Sequence, residues 1–144
     1  MKHAHFLSKV DDDRVTAAIA AAEAKTTGEI RALISKRKSP DPLAAAKLHF
    51  RALGMQKTKH RNAVLIYVAP KSCTFAIYGD TAIHARCGPD FWNSIRDEMT
   101  THLKAGRYTD ALVHAITKAG DLLAVHFPCE KENPNEHPDR LVED

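Results

Sequence analysis

Seven consecutive residues, Ala63-Val64-Leu65-Ile66-Tyr67-Val68-Ala69, carry no charge and no alternation of polar with apolar side chains. A strand with one wet face alternates; a run of this kind is buried on both faces and belongs at the centre of a sheet. That constrains the rest of the chain, which must supply helices for both faces and at least one strand for each side.

The helices are legible in their end signals. Asp41-Pro42 places an aspartate cap before a proline at the first helical position, with Leu43, Ala46, Phe50 and Leu53 on one face and Gly54 as the closing glycine. Upstream, Ser8-Lys9-Val10-Asp11 has capping-box spacing. Asp11, Asp12 and Asp13 suit the positive end of a helix, Val15, Ile19 and Ala22 form a narrow apolar face, and Gly28 is read as its end. Thr81 to Gly88 is read as one or two helical turns. Pro89 is read as opening a long helix with Trp92, Ile95, Met99 and Leu103 on its buried face, broken by Gly106. A last helix carries Leu112, Ile116, Ala119 and Leu123, and Pro128 stops it.

Ile30, Ala32 and Ile34 alternate with Arg31, Leu33 and Ser35 as a first strand, and Thr74 to Tyr78 follows the Pro70-Lys71-Ser72 turn as the antiparallel arm of a hairpin. The expected fold is α/β: a three-layer α/β/α sandwich around a small mixed sheet, with a right-handed parallel βαβ unit, one antiparallel hairpin strand and C-terminal helices. The 144 residues suit one domain over residues 8–128, preceded by an arm at 1–7 and followed by an acidic flexible tail at 129–144 that lacks apolar residues.

Composition removes several function classes. A formal charge of +3 and a basic loop without interleaved aromatics argue against nucleic acid as a partner. Three cysteines without a CxxC spacing indicate neither a disulfide framework nor a zinc site. No stretch approaches the roughly 18 apolar residues of a membrane span, and Met1 to Phe6 has no apolar signal region. A cytoplasmic protein without membrane insertion is expected. Cys87 has no arginine at Cys-x5-Arg spacing, and no nucleophile elbow, phosphate loop or dinucleotide fingerprint occurs. His3 and His5 form an HxH pair of little significance on a terminal arm.

Four stretches in order then carry a resemblance: Ala18-Ile19 through Thr27-Gly28-Glu29-Ile30, Leu53-Gly54-Met55 through Lys57-Thr58 to Arg61-Asn62-Ala63-Val64-Leu65-Ile66-Tyr67-Val68, Phe75-Ala76-Ile77-Tyr78-Gly79-Asp80 with Phe91-Trp92, and His126-Phe127-Pro128. Over roughly residues 8–128 the chain resembles the TPM domain family. The resemblance implies an α/β/α sandwich and two functional readings, a weak phosphatase with bound calcium or an accessory protein of a membrane complex. The family usually has glycine where this chain has Ala63, and often where it has Ala82.

Hairpin geometry points to a site without reference to a family. A two- or three-residue turn would set Asn62 opposite Gly79 or Asp80, with Glu29 at the same end of the sheet and Lys57, Lys59 and Arg61 around it. Glu29, Asn62 and Asp80 are oxygen donors suited to Ca2+ or Mg2+. Lys57, Lys59 and Arg61 would hold a phosphate, and Asp80 and His60 are the candidate catalytic groups of a metal-assisted phosphomonoester hydrolase. The alternative for the same residues is structural: Asp80 caps the next helix, Asn62 satisfies a turn and Glu29 pairs with a lysine. Function then lies in a non-catalytic module acting with a membrane-associated partner protein. A second anion candidate is the other end of the sheet, at Ser35, Asp41 and the helix starting at Pro42.

Overall fold

A computed structural model of the protein describes residues 11–129 together with residues 142–143. Strands β1 (Ile30–Ile34), β2 (Val64–Ala69), β3 (Thr74–Gly79) and the two-residue β4 (Val142–Glu143) form one sheet in the order β3-β2-β1-β4. β1 and β2 are parallel, β2 and β3 antiparallel, and β4 runs parallel to β1. Helices are α1 (Asp12–Glu23), α2 (Pro42–Ala52), α3 (Thr81–Cys87), α4 (Asn93–Lys104) and α5 (Tyr108–His126). The expected mixed α/β sandwich is the observed architecture.

All six residues of β2 are buried, as an unalternating run requires. Its side chains divide between two cores. Val64, Ile66 and Val68 join Ile30, Ile34 and Ile77 under α1, α4 and α5, where Ile19, Ile95, Met99, Leu112 and Ile116 meet them. Leu65, Tyr67 and Ala69 join Leu33, Ala46, Phe50 and Met55 under the single helix α2. Each fully buried aliphatic side chain contributes about 1.5–3 kcal/mol. α1 and α5 cross closely: a Cβ on Gly120 would lie 2.6 Å from the Ala22 Cβ. Even alanine at 120 would therefore push the two helices apart.

Several helix ends differ from the sequence reading. α1 is capped by Asp11, whose carboxylate accepts from the Arg14 N–H at 3.1 Å, and it ends at Glu23 rather than at Gly28. The segment after it is drawn into another contact: Thr26 pairs with Pro128, and the Thr27 N–H donates to the Phe127 carbonyl. α4 begins at Asn93, not Pro89, because the chain first makes a turn in which the Asn93 N–H donates to the Asp90 carbonyl. On α2, Leu43 is 46% exposed, while Ala46 and Phe50 are buried as expected. Gly54 adopts φ +72°, the left-handed closure that its position after α2 implies. The Ser8 capping box, the terminal arm with His3 and His5, and all of the tail except Cys129 and residues 142–143 lie outside the described residues; Val142 and Glu143 extend the sheet beside β1.

Candidate functional site

The connection between β2 and β3 sets where the candidate residues meet. Ala69 pairs with Thr74, so residues 70–73 form a four-residue turn, with Pro70–Ser72 as a 3-10 turn and Cys73 at φ +53°. That is longer than the two or three residues expected, and the register moves with it. Val64 lies opposite Gly79, and the Asp80 N–H donates to the Ala63 carbonyl at 3.0 Å. Asn62 is therefore not opposite Gly79 or Asp80.

Alternation along the strands then separates the two side chains. Asn62 is fully buried on the side of the three helices, where its Nδ2 donates to Thr27 Oγ1 at 3.0 Å. Asp80 follows Gly79, whose Cβ position faces Ile83 and Trp92 on that same side. Asp80 itself turns to the α2 side and is only 2% exposed. The structure does not bring the Asn62 amide and the Asp80 carboxylate onto one ion.

Asp80 is committed to its own chain. Oδ1 accepts from the Thr81 N–H at 2.7 Å and caps α3. Arg61 grips the carboxylate as a fork, Nε to Oδ2 at 3.0 Å and Nη2 to Oδ1 at 3.4 Å. Arg61 reaches this position with φ +54°, a left-handed backbone that a residue with a Cβ adopts only under constraint from its surroundings. Its carbonyl accepts from the Ala82 N–H, which closes the loop onto α3. The hydrogen bond and charge of Asp80 hold the guanidinium pKa above its usual value.

The other candidates lie on the loop that leads into β2 and just before β1. Lys57, on the 3-10 turn Met55–Lys57, and Lys59 are exposed, and His60 is half-buried next to Arg61. Glu29 is buried at 5% exposure, and its backbone carbonyl accepts from the Val64 N–H. Among the described residues no three histidine, cysteine or acidic side chains come together as a metal site would require. A divalent cation at Asp80 would meet the positive Arg61 guanidinium on both oxygens. Asn62 and Asp80, on opposite faces, therefore do not share one Ca2+ or Mg2+ as arranged, while Asn62 Oδ1 is buried without a hydrogen-bond partner.

Beside Asp80 opens a cleft of about 210 Å3, lined by Arg51, Gln56, Arg61, Tyr78, Asp80 and Thr81. Sequence reasoning found Arg61 and Asp80 but missed Arg51 and Gln56. Arg51 falls one residue after Phe50 on α2, and its contribution depends on the crossing of α2 over β3, which no local spacing reveals. At the opposite end of the sheet, the Asp41 carboxylate caps α2 by accepting from the Ala44 N–H at 3.2 Å. Ser39 accepts from Thr74 Oγ1 through its carbonyl at 2.7 Å, and its N–H donates to Ser72 Oγ. The second anion candidate is thus occupied by the chain's own carboxylate.

Comparison with known proteins agrees with this architecture. The NMR structure of the BA42 protein from the psychrophilic bacterium Bizionia argentinensis shares 38% identity over 92% of each chain, with a TM-score of 0.85. The solution NMR structure of the N-terminal domain of a protein from P. gingivalis matches 84% of this chain and 76% of its own at 16% identity and a TM-score of 0.58, a likeness of fold alone. No curated protein matches the sequence. The family model described as the TPM domain matches residues 1–122, and the chain belongs to the TPM domain family.

Proposed function

We propose that this chain is a non-catalytic accessory module whose task is to bind a partner protein. The carrying observation is the state of Asp80. Its two oxygens accept from Arg61 and the Thr81 N–H, a structural use of the carboxylate that supports this reading. The exposed Leu43 and Leu48 on α2, 46% and 73% accessible, add apolar surface of the kind a partner covers. No helix among the described residues is long and apolar enough to cross a membrane. A membrane-associated partner, which the family resemblance suggests, would be met from the cytoplasm through a protein contact and not by insertion.

The competing reading is a phosphatase assisted by Ca2+ or Mg2+. One observation favours it: the cleft beside Asp80 has two arginines, Arg51 and Arg61, suited to a phosphoryl group. Hydrolysis of p-nitrophenyl phosphate across Ca2+ and Mg2+ series, with Asp80→Ala purified in parallel, separates the two. We expect the same trace rate from both proteins at every metal concentration. Wild-type turnover that rises with metal and disappears in a folded Asp80→Ala protein would overturn the accessory-module reading.

A further inference from the structure

The outer edge of β3 is one of the two edges of the sheet, and Ile77 on it is 5% exposed. β3 is terminal in the strand order, and among the described residues it pairs only with β2. The direction of its free hydrogen-bonding groups follows from the ladder. The Val64 N–H donates to Glu29 and the Val68 carbonyl accepts from Ser35, so the even-numbered residues of β2 turn their backbone groups towards β1. The odd-numbered residues bond β3, as the Asp80 N–H to Ala63 carbonyl bond shows. Their register partners are Tyr78, Ala76 and Thr74. In an antiparallel ladder the residues between these turn outward, so the N–H and C=O of Phe75 and Ile77 point away from β2.

Two cavities lie along that edge, each built on one of those residues. One of about 390 Å3 is lined by Phe75 with Leu103, Lys104 and Tyr108. The other, of about 430 Å3, is lined by Ile77 and Tyr78 with Trp92 and Arg96 on one side and Leu43 and Lys47 of α2 on the other. Both are of ligand-pocket size. The charged side chains lining them, Lys47, Arg96 and Lys104, are all basic. Exposed edges are usually protected by a proline, an inward charge or a bulge. Thr74–Gly79 contains none of these, and its pairing with β2 is continuous.

We propose that the β3 edge is a docking groove for an extended, acidic segment of the partner protein, which adds to the sheet as a further strand. The inference rests on the accessory-module reading and names its surface. Main-chain bonds to Phe75 and Ile77 supply affinity, alternate apolar side chains fill the two cavities, and acidic side chains meet Lys47, Arg96 and Lys104.

The test uses the full chain and a synthetic seven-residue peptide of alternating glutamate and valine with phenylalanine at its centre. Binding is followed by NMR and by amide hydrogen exchange. The expected result is saturable binding with at least about tenfold slower exchange at Phe75 and Ile77. N-methylation of the peptide amides that face the edge should abolish it. Replacing the glutamates by lysines, or making the exposed Arg96→Glu and Lys104→Glu changes together, should weaken it at least about tenfold. The proposal falls if the N-methylated peptide binds equally well or if the shifts cluster away from β3. It also falls if Phe75 and Ile77 are already protected in the chain alone, since the edge is then closed by its own tail or by a second copy. Failure of the peptide leaves the hydrolysis result untouched, so the two readings fail separately.

Discussion

The face of the sheet under α1, α4 and α5 and the face under α2 use the same strands and bury different chemistry. Under the three helices, alternate residues of β1 and β2 meet an apolar layer from Val15 to Leu123, and the polar exceptions include Asn62, whose Nδ2 donates to Thr27 while its Oδ1 has no partner, and the Glu23 carboxylate, which accepts from the Ile30 N–H at 2.8 Å. Under α2, one helix covers Leu33, Leu65 and Tyr67, and the margin of that cover is where Arg61 grips Asp80 beside an open cleft. A three-helix layer covers the sheet as far as the β3 edge, where two cavities open beside α4. A single helix leaves its borders wet, and polar groups with a task can stand there.

The largest effect should come from truncating one strand residue into each face. Ile66 and Leu65 are adjacent and both fully buried, Ile66 under the three helices and Leu65 under α2. Ile66→Ala should cost about 4–5 kcal/mol, because three mutually packed helices cannot settle into the void. Leu65→Ala should cost nearer 2–3 kcal/mol, because α2 can move inward. Urea denaturation at unchanged m-value measures both. Equal losses would break the comparison, because the single-helix layer would then be as rigid as the thick one.

The next effect sits at the border itself. Asp80→Asn retains an acceptor for the Thr81 N–H and loses the charge that holds Arg61; Asp80→Ala loses both. Asp80→Ala should therefore be less stable than Asp80→Asn by about 1 kcal/mol, the worth of a helix cap. If the two variants unfold together in urea, the cap contributes nothing and the carboxylate is present for another reason. Added Ca2+ that raises the melting temperature of the wild type but not of Asp80→Asn would supply that reason.

The two faces also differ in how far the sequence disclosed them. The thick face was readable because its signals are local: the unalternating β2 run and the i, i+4 series Ile95-Met99 and Leu112-Ile116 each report their own burial. Asp80 is put forward by hairpin geometry as a metal ligand and catalytic group, with a cap on the next helix as the structural alternative. Its partner was identified as a phosphate ligand instead, because pairing with Arg61 depends on the left-handed backbone at 61 and on register. Register in turn depended on a turn of four residues where the Pro-Lys-Ser sequence suggested three. One residue of turn length moved Asn62 out of the site, since a strand's side chains change face with each step.

The smallest effect tests the outer surface of the thick layer, where α4 and α5 are tied by the Glu98 carboxylate and the His114 ring. The hydrogen bond from His114 lowers the Glu98 pKa below its usual value. A depressed carboxylate pKa contributes stability that is complete above the unfolded value of about 4.3 and is lost as pH falls through the folded value. The Glu98 side chain is 46% exposed, so solvent screens most of this contribution. Between pH 6 and pH 3 the wild type should lose more thermal stability than Glu98→Gln, by no more than about 2 °C. A much larger gap would mean that an ionic tie holds α4 to α5, and the thick face would owe its order to charge as the α2 border does. No gap would leave the apolar contacts of Ile95, Met99 and Leu112 as the whole of that attachment.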